Sequence, residues 1–311
     1  MDTATVARFE AGRARLASLA YRLLGSAADA EDVVQDAFLR WQAADREYIE
    51  TPEAWLTKVV TNLSLDRLRS AQARRERAAG AWLPEPLLDG DPMLGPAETA
   101  EQRESVTFAV LRLLETLGPV ERAVYVLREA FSHSHAEIAE ILEITESASQ
   151  QHAHRARRRI AAGRDTAEID RAAARRIVEA FVAAAASGRT EQLVALLTDD
   201  ATALSDGAGL AETLRRIPTP EKIAAVTRAG FVPTPAKRRL VGAPLSIYAA
   251  VVNGAPAVIA ATAQGVAGVV VLEVRDGKIA SISGMASPSR TGRVNEQWLR
   301  GEHPDPVVES W

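Results

Sequence analysis

Gln150, Gln151, His154 and Arg155 stand at offsets that place them on one side of an α-helix. Their side chains are of the kinds that read base edges. A glutamine amide pairs with adenine through two hydrogen bonds and an arginine fork pairs with guanine, each good pair discriminating by ~1–3 kcal/mol. Arg157, Arg158 and Arg159 follow directly and supply positive charge suited to phosphates or to a packing surface. Upstream, Ile138, Ala139, Ile141 and Leu142 keep helical spacing, Ile144 closes a short turn, and a second helix is predicted from Ser147 to Ile160. Helix, tight turn and basic second helix fit a helix-turn-helix, whose second helix enters the major groove. The alternative is a solvated amphipathic helix in a bundle. Glu143 fills a turn position that glycine often takes, at a cost on the order of 1 kcal/mol if its φ is positive.

Two earlier stretches also carry polar residues at telling intervals. In DAEDVVQDAFLRW, residues 29–41, one helical face is apolar (Ala30, Val33, Val34, Ala37, Phe38, Trp41) and another carries Asp29, Asp32 and Asp36. That acidic face is either simply solvated or a docking surface for a basic protein partner. In TPEAWLTKVVTNLSLDRLRSAQARRE, residues 51–76, Thr51 can cap, Pro52 suits a first turn, and Trp55, Leu56, Val59, Val60 and Leu63 supply a core side. Lys58, Asn62, Asp66 and Arg69 recur at i, i+4, i+8 and i+11 as a polar ridge, which Arg74, Arg75 and Arg77 extend into a basic end. Singly these are ordinary surface residues; beside a helix-turn-helix they suggest a second DNA contact.

The elements that must hold these faces occupy 311 residues, enough for two or three domains. Residues 1–80 read as helical, and 81–100 form a linker broken by Pro84, Pro86, Pro92 and Pro96 with Gly90 and Gly95. Helical periodicity returns over 101–165; an α+β domain is predicted over 169–288, with a tail over 289–311. Asn253-Gly254 and Asp276-Gly277 read as hairpin turns between β runs. The absence of cysteine removes disulfides and thiolate zinc sites, and neither metal nor cofactor is expected. No apolar run approaches ~18 residues, so a cytoplasmic chain without a membrane contact is expected. A formal net charge of −4 argues against a protein that coats DNA through a distributed positive field.

YRLLGSAADAEDVVQDAFLRW, PEAWLTKVVTNLSLDRLRS and SHAEIAEIL followed by HRARRRI resemble regions 2.2, 2.4 and 4.2 of extracytoplasmic-function (ECF) sigma factors, in the right order. The linker WLPEPL and the additional α+β domain resemble, more narrowly, the SigJ-type subgroup with a fused SnoaL-like domain. The resemblance implies a multidomain fold: two all-α sigma domains, a region 2 bundle and a region 4 helix-turn-helix, then an α+β SnoaL/NTF2-like cone. It implies an alternative sigma factor whose partners are core RNA polymerase, through the β′ clamp and β flap, and promoter DNA. By position, Asp32, Gln35 and Asp36 would dock on the β′ clamp. Lys58, Asn62, Asp66 and Arg69 would meet the −10 element, and Gln150, Gln151, His154, Arg155 and Arg158 the −35 element. Gln150 replaces the more usual Lys or Arg early in the recognition helix, so promoter preference is not carried over. Opening roughly a dozen base-pair steps at ~1.4 kcal/mol each costs on the order of 15 kcal/mol, more than two modest faces supply. A specificity subunit, gripping DNA through the polymerase, fits an acidic chain.

IDRAAARRIVEAFVAAAASGRTEQLVALLTDDATALSD resembles the opening of SnoaL-like domains, whose cone could take an unidentified small-molecule ligand. Some relatives of that fold are enzymes with a pocket acid or base. Here all five histidines lie outside residues 170–290, which leaves a carboxylate such as Asp206 as the candidate base, and Asp206-Gly207 also reads as a turn. No catalysis is expected. The expected role is regulation in cis, through an interface involving Trp82, Leu83, Pro84 and Asp206. The rivals are a stand-alone helix-turn-helix regulator and a SnoaL-like enzyme fused to a DNA-binding module. SigJ-type relatives tend to carry DGGGK where this chain has DGAGL, so a contact assigned to that Lys does not transfer.

Overall fold

The computed structural model describes residues 3–78, 82–95, 105–161, 170–207, 214–232 and 242–310, with 234, 235, 237 and 239. Side chains beyond Ser70 in the third helix, including Arg74, Arg75 and Arg77, lie outside the described residues, as does the Ala208–Leu210 part of DGAGL. The chain divides into two units: residues 1–84 with 90–164, and residues 85–89 with 165–311.

The first unit is all helical. Helix α1 (Thr3–Leu24) ends at Gly25, whose φ of 65° turns the chain into α2 (Ala27–Ala43). Ser26 caps α2 by accepting from the Asp29 N–H at 3.2 Å. Helix α3 (Pro52–Ala78) begins on the proline, whose missing donor costs nothing in a first turn. The three pack around Phe9, Tyr21, Leu23, Val33, Trp41 and Val60, all buried, and the Trp41 Nε1–H donates to the Thr5 carbonyl at 3.1 Å. Among the described residues four further helices follow: α4 (Phe108–Leu114), α5 (Pro119–Glu129), α6 (His135–Leu142) and α7 (Glu146–Ala161). A capping box starts α6, with Ser134 and Glu137 each satisfying the other's backbone N–H. Glu143 ends it at φ 56°, ψ 44°, so the turn uses a left-handed residue without glycine.

The two helical stretches that the sequence separates by a linker pack together within this unit, α5 against α1 and α3, and α6 against α3. Much of that packing is polar. Arg122 on α5, 3% exposed, donates from Nη1 to the Leu23 carbonyl and from Nε to the Leu114 carbonyl, both at 2.9 Å. The same Nη1 sits 2.6 Å from Glu115 Oε1 as an ion pair without hydrogen-bonding angles. Arg22 on α1 donates to Ser105 Oγ at 2.9 Å, to the Leu94 carbonyl at 2.9 Å and to Ser18. Burial pulls these guanidinium groups below their ordinary value, Arg122 to about 9 and Arg22 to about 10, which leaves both charged at neutral pH. Thr61 Oγ1 and Ser64 Oγ on α3 are buried without a hydrogen-bond partner among the described residues.

The second unit holds α8 (Arg171–Ala186), α9 (Thr190–Leu196), α10 (Pro220–Phe231) and α11 (Pro288–Arg300) with six strands. These are β1 (Leu197–Ser205), β2 (Arg215–Ile217), β3 (Ser246–Val252), β4 (Ala255–Thr262), β5 (Gly265–Arg275) and β6 (Lys278–Met285). They form one sheet in the order β2-β1-β6-β5-β4-β3, antiparallel except for β1 beside β6. One sheet face, with Ala201, Ala203, Ile247, Val258, Leu272 and Ile282, shares a core with Val178 and Phe181 of α8, Leu193 of α9 and Ile223 of α10. Alternation sends Val269 and Val271 to the other face, where α11 runs against β5. Both expected hairpin turns form, with φ of 46° and 73° at Asn253-Gly254 and 52° and 75° at Asp276-Gly277. The stretch 289–311, read from sequence as a tail, supplies most of α11 before becoming extended.

Candidate nucleic-acid interface

On α7, Ser149, Ala153, Ala156 and Ile160 are buried, and this inward stripe fixes which side faces out. The residues opposite it are Ser147, Gln151, His154 and Arg158, at i, i+4, i+7 and i+11, all exposed. Gln150 flanks this ridge, and its amide lies 3.5 Å from Glu146 Oε1. Arg155 flanks the other side and is held there, with Nε donating to Glu121 Oε1 at 2.7 Å and Nη2 lying 2.9 Å from His152 Nδ1. Arg159 reaches the other oxygen of Glu121 at 2.7 Å, and Arg157 binds Glu129 through Nε and Nη2 at 2.9 and 2.6 Å. Carboxylates of α5 therefore neutralise most of the basic run. Among the described residues Arg158 is the arginine of the four without such a partner, and it stands on the outward ridge. Burial, with the Arg155 charge, holds the His152 pKa below its ordinary value against the opposing pull of Glu121.

Lys58, Asn62, Asp66 and Arg69 do lie along one side of α3, the first two half-buried and the last two exposed. The Lys58 ammonium is 3.0 Å from Glu143 Oε1, on the turn of the helix-turn-helix. Arg69 Nη1 donates to Asp66 Oδ1 at 3.3 Å. One end of this ridge is thus engaged by the second helical stretch.

The acidic face of α2 is organised by a residue the sequence reading passed over. Arg67 of α3 places Nη1 3.0 Å from Asp29 Oδ1 and 3.2 Å from Asp32 Oδ2, and Nη2 3.5 Å from Asp36 Oδ2. Burial lowers the Arg67 pKa, but Asp32 and Asp29 outweigh it and hold the group above its ordinary value. Three carboxylates around one guanidinium leave a surface of net negative charge with fixed geometry. Gln35 is exposed beside it, and Leu39, 55% exposed, continues the stripe one turn on. An exposed leucine at i+3 from an acidic stripe was the available signal for it.

In the linker, Trp82 lies over Gly25, and a Cβ there would strike the indole; Leu83 and Pro84 are buried in the same unit. Residues 85–89 belong to the second unit and form a short strand addition. Asp89 N–H donates to the Val251 carbonyl at 3.1 Å and Asn253 N–H to the Leu87 carbonyl at 3.0 Å. Leu87 N–H donates to Asn253 Oδ1 at 2.8 Å, and Leu88 N–H to Gln297 Oε1 of α11 at 3.3 Å. Arg171 Nη2 binds Asp89 Oδ2 at 2.8 Å. Asn253, read from sequence only as a turn residue, also grips the linker.

Asp206 is buried, and both its oxygens are occupied. Oδ1 and Oδ2 each accept from the Ala286 N–H at 3.0 Å, and Oδ2 from the Ser287 N–H at 2.8 Å, at the start of α11. That is a helix-anchoring carboxylate, which does not suit a free general base. Arg290, half-buried and lowered in pKa by burial, feels the opposing charges of Asp206 and the linker residue Glu85.

An outward polar ridge on the second helix of a helix-turn-helix, a second polar ridge on a three-helix bundle and an acidic face on α2 are the features of a DNA-directed protein. Residues 9–74 match the family Sigma-70 region 2, and residues 107–160 match Sigma-70, region 4. The chain is 37% identical over 294 residues to the ECF RNA polymerase sigma factor SigJ of Mycobacterium tuberculosis, covering 92% of each. It is 34% identical over 288 residues to the probable ECF sigma factor SigI of that organism, covering 91% of this chain and 93% of the relative. A crystal structure of M. tuberculosis SigJ superposes with a TM-score of 0.67 at 34% identity, covering 93% of this chain and 98% of that one. The chain belongs to the ECF RNA polymerase sigma factors, as its motifs implied. It is an alternative sigma factor, a transcription factor that works with core RNA polymerase and promoter DNA. No helix among the described residues is long and apolar enough to cross a membrane.

Proposed function

We propose that this sigma factor is held closed and is governed in cis by its C-terminal domain through the linker. The observation that carries this reading is the capture of Leu87–Asp89 by the β3 edge and by α11. The linker joins the two helical stretches, so whatever holds it limits their separation. The −35 and −10 elements are centred about 25 base pairs apart, or about 85 Å of duplex at about 3.4 Å per pair. A compact body of the first unit's size has a radius of gyration of about 15 Å, so its two DNA faces must part to reach both elements. The polar character of their packing supports such parting, because Arg122, bonded to the Leu23 carbonyl, and Arg22, bonded to Ser105, gain water when it opens.

In the open form, Gln151, His154 and Arg158, with Gln150 at their side, read the −35 element, and Arg155 supports the helix from its flank. Asn62, Asp66 and Arg69, with Lys58 released from Glu143, meet the −10 strand. Asp32, Gln35 and Asp36, with Leu39 as an apolar anchor and Arg67 fixing the carboxylates, dock on the β′ clamp, and the region 4 helices meet the β flap. Trp82, Leu83 and Pro84 seat the linker on the helical unit, while Asp206 anchors α11 for its grip on the linker. The test is binding of the full chain to sigma-free core polymerase, with D32K/D36K in parallel. At least a tenfold loss with unchanged helical circular dichroism is expected. Equal binding by the folded variant removes the docking assignment.

A further inference from the structure

The β3 edge is shared by two segments of the chain. At its C-terminal end it holds the linker, through Val251 and Asn253. At its N-terminal end it holds the tail: Ile247 N–H donates to the Val308 carbonyl at 2.9 Å and Val307 N–H to the Ile247 carbonyl at 2.7 Å. Ser246 Oγ also donates to the Glu309 carbonyl at 2.7 Å. Exposed edges recruit extended peptide because their amide and carbonyl groups are unpaired, and here the chain supplies its own. Pro304 and Pro306 keep the tail extended just before its pairing residues.

Helix α11 holds the same two segments. Gln297 accepts from Leu88 N–H of the linker. Its neighbour Trp298 stacks on His303 of the tail, with centroids 4.0 Å apart and 4° between planes, and Tyr248 of β3 meets Trp298 edge-on at 4.9 Å. Arg175 of α8 donates to the Asp305 carbonyl at 3.2 Å, and Val307 and Val308 pack against the sheet core. Tail and linker therefore touch one strand and one helix turn in common.

We propose that the tail, His303–Glu309, is a clasp for the linker: by completing the β3 edge and stacking on Trp298 it fixes the strand and helix groups that hold Leu87–Asp89. The clasp rests on the reading of the linker as the regulated element, but its physical part is measurable apart from transcription. Two sets of amides report separately. Ile247 N–H reports the seated tail; Asp89 and Asn253 N–H report the seated linker.

Hydrogen exchange of the full chain is compared with a chain ending at Gly301 and with the full-length variants H303A and V307P. Release of the tail accelerates Ile247 exchange; the clasp requires Asp89 and Asn253 to accelerate with it, by about tenfold, the scale of one lost hydrogen bond in a local opening. Acceleration at Ile247 alone overturns the proposal. Should the truncated chain also lose protection at Val271 and Leu272 in mid-sheet, it has unfolded, and H303A and V307P decide by the same criterion. Transcription from a cognate promoter with core polymerase is the separate arm. A freed linker with unchanged transcription leaves the clasp standing and overturns the regulatory reading instead.

Discussion

Arg122→Met should open the helical unit without unfolding its parts. In the closed form the guanidinium satisfies the Leu23 and Leu114 carbonyls and faces Glu115, whose side chain is 11% exposed. Methionine matches much of the volume but takes the guanidinium away from the Leu23 carbonyl and from Glu115, while the Leu114 carbonyl keeps the Leu117 N–H at 3.1 Å. One carbonyl at about 1 kcal/mol and a carboxylate deprived of its counter-charge at another 1–2 kcal/mol come to about 2–3 kcal/mol, near the low end for breaking a buried pair. In the open form these groups meet water and the loss vanishes, so nearly all of it falls on the closed state. At about 1.4 kcal/mol per decade, opening is favoured by roughly 30- to 100-fold. The chain has no cysteine, so Glu10→Cys and Glu140→Cys, both at exposed sites, provide a unique dye pair across the two helical stretches. Transfer efficiency should fall in R122M and core-polymerase affinity should rise, with E115Q restoring part of the closed population. Unchanged transfer, with stability altered by less than about 0.5 kcal/mol, would refute the reasoning that Arg122 holds the unit shut.

Three further outcomes follow from particular contacts. Gln151→Ala should cost about 1–3 kcal/mol at the −35 element and relax selection at one base pair, whereas Arg155→Ala should alter stability with little change in selection, because Glu121 holds that side chain; binding to a base-substitution series distinguishes them. Gly25→Ala should lower the melting temperature by several degrees, since φ is 65° and the added methyl meets the Trp82 indole; a melt of W82A/G25A should show part of the loss recovered. The His133 imidazole has a pKa below its ordinary 6.5 because of burial and the Arg15 charge, opposed by Glu137. The unfolded chain then binds more protons between the lowered value and 6.5, so stability falls as pH drops through that window, and H133Q should flatten the fall in urea titrations.

The apolar faces of α2 and α3, the second helix of the helix-turn-helix and the turns at Asn253 and Asp276 were legible because they rest on contacts within a turn or two, whereas α11 was read as part of a tail. The three sigma motifs were readable for the same reason, since each lies on one or two consecutive helices. Glu143 adopts the left-handed conformation for which its place in the turn leaves room.

What tertiary structure decided is which polar groups are left free. Local periodicity placed Arg155 and Arg158 equally well on the recognition helix, but Glu121, 34 residues from Arg155, engages Arg155 and leaves Arg158 outward. Arg67 draws the acidic face of α2 together from 31 to 38 residues away. The linker was legible as proline-rich and unusually apolar, yet its strand addition depends on Asn253, 166 residues from Leu87, and Asp206 on a helix start 80 residues later. A sequence states which groups a residue carries and which way its own helix or strand turns them. Whether those groups meet a distant partner, or water, is settled only when the surfaces of separate elements pack.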